Sequence, residues 1–528
     1  DMSVGYDLAG IKSEPVDAFI EGMKDCSSVV ESLRKQIPDE FSQFRDLDFN
    51  TCLSDSLTLS TFHGCPPDEI EKIMEYLLVE KGLHAIVKLN PTLLGPDAAR
   101  TLLNDTLGYS DIRIPDSAFA NDTKWEQAVG FVERLGKLAK TQGKGFGVKF
   151  SNTLLVDNHK DFFPAEEKSM YLSGAPLHVF AMTLVAKFRE HFGDTFPISF
   201  SAGIDRNNFA DAVAIGLTPV TVCSDLLKPG GYARASGYLD VLGKRMAKVS
   251  ATSVGDFILL AYGQANSTLA ALGADDETAA ACQASLGAGR GMQATAGELY
   301  PAWLSATKLA NTKHYVEQCI ADPRYRQPKN HKTPKKVGTA LALFDCVSCN
   351  KCIPVCPNDA NFSYAIPEQE TAIVKMTLSD GKWQSREEGT LRVEKKVQYG
   401  NFADFCNECG NCDIFCPEDG GPYAVKGRFF GNLDDWRTMK SSDGFFFERG
   451  DSTRIYGRFE GNEFEMQEVD GKVSYRGQGF EVTFDSANPA ESVAGNAETE
   501  VDLSYYYLMS WISTAVLNSA SANYLRYL

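Results

Sequence analysis

The sequence predicts an α/β protein: a parallel (β/α)8 TIM-type barrel, then an α+β segment built on two cysteine loops, then a small β-rich C-terminal region. Three observations predict it. Over residues 1 to about 245, short β-rich apolar runs alternate with helical segments, the mark of βα units on a parallel sheet. Eight of the fourteen cysteines fall in two copies of one spacing. Beyond Arg437, short strand patterns are separated by turn signals at Gly450-Asp451, Asp470-Gly471 and Gly477.

Taken in order, strands are predicted at residues 2–6, 57–61, 85–89, 145–150, 198–201 and 220–223. Helical patterns lie between most of them, such as residues 67–81, where Asp68 and Glu69 suit the positive end of the helix dipole. Six strands are visible where a closed barrel needs eight. Asp1 is not an initiator, and residues 1–5 already resemble the middle of a strand. The expectation is a barrel domain over residues 1–245 whose first two strands precede Asp1, with an open sheet as the alternative. Residues 246–337 form a helical accessory segment and linker, with helices at 268–272 and 277–285 and a basic, proline-containing stretch at 328–336. Residues 338–430 hold the cysteine loops, and 371–397 alternates like a hairpin inserted between them. Residues 431–528 carry a small antiparallel sheet and an aromatic amphipathic helix over 501–528, expected to dock on a core or, failing that, on another subunit.

At 528 residues and 43% hydrophobic content the chain supports several cores. It contains no run of about 18 apolar residues and no basic segment leading into an apolar one, so neither a spanning helix nor a secretory signal is expected. A net charge of −18 argues against nucleic acid and anionic membranes as partners, and its simplest meaning is solubility.

The cysteines carry the strongest chemistry. The two copies are Cys346-x2-Cys349-x2-Cys352-x3-Cys356-Pro357 and Cys406-x2-Cys409-x2-Cys412-x3-Cys416-Pro417. This is the spacing of a two-cluster ferredoxin, in which three thiolates on one loop and the fourth from the other motif hold each [4Fe-4S] cube. One cluster is expected on Cys346, Cys349, Cys352 and Cys416, the second on Cys406, Cys409, Cys412 and Cys356. Zinc is the competing reading, but it needs four ligands per site and has no use for the third cysteine of each loop. Thiolate ligands need a reducing compartment, so a cytoplasmic location is expected.

Barrels bind ligands at the C-terminal ends of their strands. There the sequence places Lys88 and Asn90, Asn152-Thr153, Ala202-Gly203 and Cys223-Ser224. If two strands lie upstream, the last two of these loops are numbers 7 and 8, which commonly bind phosphate through backbone N–H groups. A lysine at such an end meets an anion or an electron-rich ring, or else stays solvated, and amides can hydrogen-bond the edge of a heterocycle.

Lys88 in VKLNPT, Asn152-Thr153, Ser173-Gly174 before a helix, the segment Ser201-Ala202-Gly203-Ile204-Asp205 and Val222-Cys223-Ser224 resemble, in order, the FMN barrel of dihydroorotate and dihydropyrimidine dehydrogenases. Closer still is the resemblance to the bacterial family named "putative selenate reductase iron-sulfur subunit", carried by the segments MSVGY at 2–6, LSTFHGCPP at 59–67, KLNPTLLG at 88–95, DLLKPGGY at 225–232 and CNECGNC at 406–412. The resemblance implies FMN on Lys88, Asn90, Asn152, Thr153, Ser173, Gly174, Ala202, Gly203, Cys223 and Ser224. That family also carries an FAD/NAD(P) module; here Gly287-Ala288-Gly289-Arg290-Gly291 is the only glycine cluster in the interval, and it lacks the third glycine and the preceding strand of a dinucleotide site.

By position, the loop Thr61-Phe62-His63-Gly64-Cys65 resembles the one from which dihydropyrimidine dehydrogenases present a cysteine as proton donor. Reducing a C=C bond needs a proton beside the hydride, and a thiol at a helix N-terminus can have its pKa drawn toward neutrality. Cys65 and His63 are therefore the acid/base candidates, against the plainer roles of a buried thiol and a hydrogen-bonded loop histidine. The expected function is an FMN and iron-sulfur oxidoreductase acting on a pyrimidine- or purine-like heterocycle and fed by an external carrier or an NAD(P)H/FAD-containing subunit. The alternative is an electron-transfer subunit of a larger complex.

Overall fold

A computed structural model describes residues 1–159, 168–332, 335–344, 346–518 and 523–526. The chain divides into two compact units, one of residues 1–225 with 233–332, the other of 226–232 with 333–528.

In the first unit, β1 (Met2–Val4), β2 (Ser56–Ser60), β3 (His84–Leu89), β4 (Phe146–Phe150) and, beyond a hairpin of β5 (Leu154–Asp157) and β6 (Ser169–Leu172), β7 (Ile198–Phe200) are the strands. The sheet runs β1-β2-β3-β4-β7, every pair parallel. Chain-order parallel pairing needs a crossover between neighbours, and helices supply it. Helix Pro67–Glu75 turns Ile70, Ile73 and Met74 inward and continues as a wider turn over Tyr76–Glu80. Helix Trp125–Thr141 buries Ala128, Phe131, Val132, Leu135 and Ala139, a 3.6-residue stripe.

The strand expected at 220–223 shrinks to a single bridge between Val220 and Phe200. Pro219 and Thr221 flank it by accepting from Phe200 N–H at 3.0 Å and donating to Phe200 C=O at 2.8 Å. Proline has no N–H to extend the ladder, and the chain then turns away. Helices fill the stretch after residue 235, and the longest, Tyr300–Ala321, packs along helix Ala175–Phe192 through His178–Tyr315 and Arg189–Thr312 hydrogen bonds. The glycine cluster at 287–291 ends helix Asp276–Ala288, with Gly289 in the left-handed cap position.

In the second unit, β8 (Asn361–Ala365) precedes the inserted hairpin of β9 (Gln369–Ser379) and β10 (Lys382–Val393), and β11 (Val397–Phe402) returns antiparallel to β8. Then β12 (Arg428–Phe430) lies parallel to β11 and to β13 (Gly444–Glu448). The meander continues through β14 (Arg454–Phe459), β15 (Asn462–Val469), β16 (Lys472–Gly477), β17 (Phe480–Asp485) and β18 (Ala494–Ala497). The C-terminal sheet is thus larger than the sequence suggests. Because β8, β11 and β12 beside the cysteine loops join its edge, it has nine strands. The two-residue turn at Asp470-Gly471 is present, both residues at positive φ; the third turn glycine is Gly479 rather than Gly477, which ends β16.

Helix Leu503–Leu517 covers this sheet, burying Tyr506, Met509, Ile512 and Val516. It comes so close that a Cβ on Gly457 would sit 2.4 Å from Met509 Sδ. The helix is shorter than the expected 501–528; residues 519–522 and 527–528, like 333–334 of the expected linker, lie outside the described residues. Among the described residues no helix is long and apolar enough to cross a membrane.

Candidate functional site

At the C-terminal ends of β2, β3 and β4, three buried polar side chains meet. Asn152 Nδ2 donates to Thr61 C=O and Asn90 Oδ1, both at 2.7 Å, and Thr61 Oγ1 donates to Lys88 C=O at 2.8 Å. These bonds lock the two amides, leaving Asn90 Nδ2 and Asn152 Oδ1 as a donor and an acceptor with no protein partner among the described residues.

Beside them stand two lysines in register, Lys88 on β3 and Lys149 on β4. Burial draws both amines below the ordinary lysine range, and Lys149 presses Lys88 further while Cys223 works the other way. Lys149 Nζ donates to Thr221 Oγ1 at 3.0 Å. Among the described residues no carboxylate pairs with either, so the pair is a cationic floor suited to an electron-rich ring edge. Lys149 escaped the sequence reading, although a lysine breaking the apolar strand FGVKF was a usable signal.

The predicted phosphate residues also converge. Gly203, at φ +53°, lies so close to Gly174 that a Cβ would stand 2.3 Å from the Gly174 carbonyl oxygen. Ser224 Oγ donates to Ser173 Oγ at 3.3 Å. Gly174 opens the 18-residue helix Ala175–Phe192, whose first N–H groups have no intrahelical acceptor and suit an anion. Ala202 is anchored from behind: its carbonyl accepts from His178 Nδ1 at 2.8 Å, and His178 Nε2 accepts from Tyr315 Oη at 2.8 Å. Burial pushes His178 down to about 4, so the ring is neutral and its tautomer is set by the Ala202 carbonyl. Its face stacks on Tyr325, 5.1 Å between centroids. Cys223 is exposed on the same loop.

The acid/base candidates separate. Cys65 packs in the barrel core, 3% exposed, and burial together with Glu69, Asp122 and Asp7 pushes its thiol up to about 11. The expected lowering by helix Pro67–Glu75 is overturned, because desolvation and nearby carboxylates outweigh the helix terminus. His63 instead bridges Asp122 and Thr153, with Nδ1 3.2 Å from Asp122 Oδ2 and Nε2 3.1 Å from the Thr153 carbonyl. Both ring nitrogens thus face oxygen acceptors. Its ring stacks on Tyr171 at 5.6 Å. Although burial opposes ionisation, hydrogen bonds from His63, Gly64 N–H and Thr92 Oγ1 hold the Asp122 carboxyl below its usual range. Nothing in the sequence pointed to Asp122, which follows a short helix far along the chain.

In the second unit, Cys346, Cys349, Cys352 and Cys416 line one recess, and Cys406, Cys409, Cys412 and Cys356 line another. Each quartet includes the fourth cysteine of the other motif. The two loops repeat in backbone as well as in spacing: Ser348 and Asn350 in one, Glu408 and Gly410 in the other, all have positive φ. Such curled loops aim N–H groups inward, and Ala360 N–H donates to Cys356 Sγ at 3.2 Å. Burial and the neighbouring sulfurs push Cys352 up to about 12, so a cationic centre is needed to offset thiolate charge there. Among the described residues no three such side chains converge on the point a single metal ion would occupy. The donor set and the N–H donated to Cys356 Sγ fit an iron-sulfur cluster at each quartet.

A family model described as the N-terminal TIM-barrel domain of the oxidoreductase YgfK matches residues 1–268. Over 255 residues the chain is 41% identical to proteins named "Putative oxidoreductase YgfK" from Escherichia coli K12 and Escherichia coli O157:H7, a match covering 45% of this chain and 24% of each relative. The chain thus aligns with about a quarter of the length of these curated relatives. The barrel-site residues lie inside the matched region and the eight motif cysteines beyond it.

Proposed function

This chain belongs to the oxidoreductase family defined by the YgfK N-terminal TIM-barrel domain, and from that premise we propose that it is a flavin and iron-sulfur oxidoreductase. It passes electrons between an external carrier, or an NAD(P)H/FAD-containing subunit, and a small organic substrate. The observation that carries this reading is the gathering of eight cysteines into two quartets, each around its own recess, in a chain whose other unit is an oxidoreductase barrel.

FMN is the proposed cofactor of the barrel. Lys88 and Lys149 would offset negative charge on the ring system, Asn90 and Asn152 would meet its polar edge, and Ser173, Gly174, Gly203 and Ser224 would cradle the phosphate. When bound, FMN exchanges hydride with substrate and single electrons with iron-sulfur clusters. The chain's own part in C=C reduction is the proton. His63 sits with Nδ1 against Asp122 and Nε2 against the Thr153 carbonyl, and breaking the contact to the neutral carbonyl would present Nε2–H to a substrate in the mouth. Cys65 keeps its proton but is walled in, so it serves as donor only if its loop opens. The polar mouth favours a heterocycle with its own donors and acceptors, of pyrimidine or purine type. The burial of Cys65 favours a second reading, an electron-transfer subunit whose substrate is handled elsewhere.

Iron, sulfide and acid-released flavin measured in anaerobically purified protein test the proposal. It expects about eight irons and one FMN per chain. Clusters without FMN select the second reading, and the absence of iron overturns both.

A further inference from the structure

Lys426 is 3% exposed and lines the recess of Cys346, Cys349, Cys352 and Cys416. Its ammonium donates to the carbonyls of Ala342 and Leu343, the latter at 3.0 Å, and it shares the recess with the sulfur of Cys346. Glu418, 4% exposed, lines the same recess. Its carboxylate accepts from Val347 N–H at 3.0 Å and from Thr339 Oγ1 at 3.2 Å, which ties it to the first cysteine loop. The second recess is different: among the described residues its polar lining is asparagine amides, Asn361, Asn401 and Asn411 among them, with Glu408 and Tyr423, and it includes no lysine or arginine. Glu408 of that lining is paired with Arg428 at 2.7 Å.

A lysine taken out of water is costly unless charge of the opposite sign lies close by. Two carbonyls supply only dipoles, so the opposite charge has to come from Glu418 and from the sulfurs that line the same recess, Cys346 and Cys352 among them. An electron added beside a buried ammonium is stabilised more strongly than one added among neutral amides, because the local dielectric is low. Net charge and hydrogen bonds to sulfur are among the levers that set cluster potentials.

We propose that Lys426 raises the reduction potential of the cluster held by the Cys346 quartet above that of the cluster held by the Cys406 quartet, so that electrons entering this unit rest on the first. Glu418 opposes it, lowering the same potential while anchoring the loop. The proposal rests on the reading of both quartets as [4Fe-4S] sites.

The test is an anaerobic redox titration followed by electron paramagnetic resonance on the full chain, with iron and sulfide counted in the same samples. The wild type should show two cluster signals with separate midpoints. In Lys426→Met the more positive midpoint falls by at least the equivalent of a tenfold change in a one-electron equilibrium, about 59 mV, while the other stays. In Glu418→Gln that same midpoint rises, and Lys426→Arg, which keeps the charge, remains near wild type. If Lys426→Met fails to assemble its cluster, the Glu418→Gln and Lys426→Arg titrations decide. Full iron with unmoved midpoints, or equal movement of both, overturns the proposal. Wild-type protein without iron or sulfide overturns the underlying reading instead.

Discussion

His63 and Asp122 meet at the barrel mouth, Nδ1 3.2 Å from Oδ2, with the carboxylate almost fully buried and also bonded to Gly64 N–H and Thr92 Oγ1. One carboxylate therefore orients the imidazole, fixes the loop that carries it, and ties both to the residues after β3.

Replacing Asp122 by alanine should destabilise the first unit by about 1–3 kcal/mol in urea unfolding, because three donors lose their acceptor. Asp122 is held below the usual carboxylate range, so its contribution is complete above that range and is lost as pH falls through it. The acid-side loss of stability should accordingly be smaller in Asp122→Asn than in the wild type.

His178 gives a second pH signature of opposite charge type. Its folded-state value of about 4 lies below that of the unfolded chain, about 6.5. Below about pH 6.5 the unfolded state takes up a proton that the folded state refuses, so stability falls, by about 3 kcal/mol once pH reaches 4. His178→Gln should flatten the unfolding free energy between pH 7 and 5 and, by freeing the Ala202 carbonyl, weaken FMN retention.

The two acid candidates should behave differently. At pH 8 a thiol-alkylating reagent should label exposed Cys223 and spare Cys65 in the folded protein, as read by peptide mass mapping. With an organic substrate in hand, His63→Asn should lower turnover by about 10²–10⁴-fold and Cys65→Ala by far less, with flavin and clusters still loaded. The reverse order would assign the proton to Cys65.

Flavin loading should depend on the floor and the cradle separately. Lys88→Met and Lys149→Met should each reduce bound FMN at least about tenfold, since each removes a charge that is expensive to keep in the site without an anion. Gly203→Ala should do the same by a different route. Its Cβ would collide with the Gly174 carbonyl at a positive φ, forcing the two loops apart. Iron content should stay at the wild-type level in all three, which separates flavin loss from general misfolding.

Much of the architecture was legible because it is written in local spacing. The cysteine intervals, the Asp470-Gly471 turn, the Pro67 helix start and the short strands beyond Arg437 each depend on residues a few positions apart, where covalent geometry restricts the outcome. The glycine-rich strand ends were legible for the same reason. Sequence alone thus determined the parallel αβ order of the first unit, the β-rich end of the second, and which cysteines repeat.

Tertiary structure decided the rest. It paired His63 with Asp122, set Lys149 beside Lys88, stacked His178 on Tyr325 behind Ala202, enclosed Cys65, and placed Lys426 on the rim of one cysteine recess. None of these has a sequence period. Each arises when elements distant in the chain pack together, and only then do burial and neighbouring charge shape what a thiol, an imidazole or an amine can do.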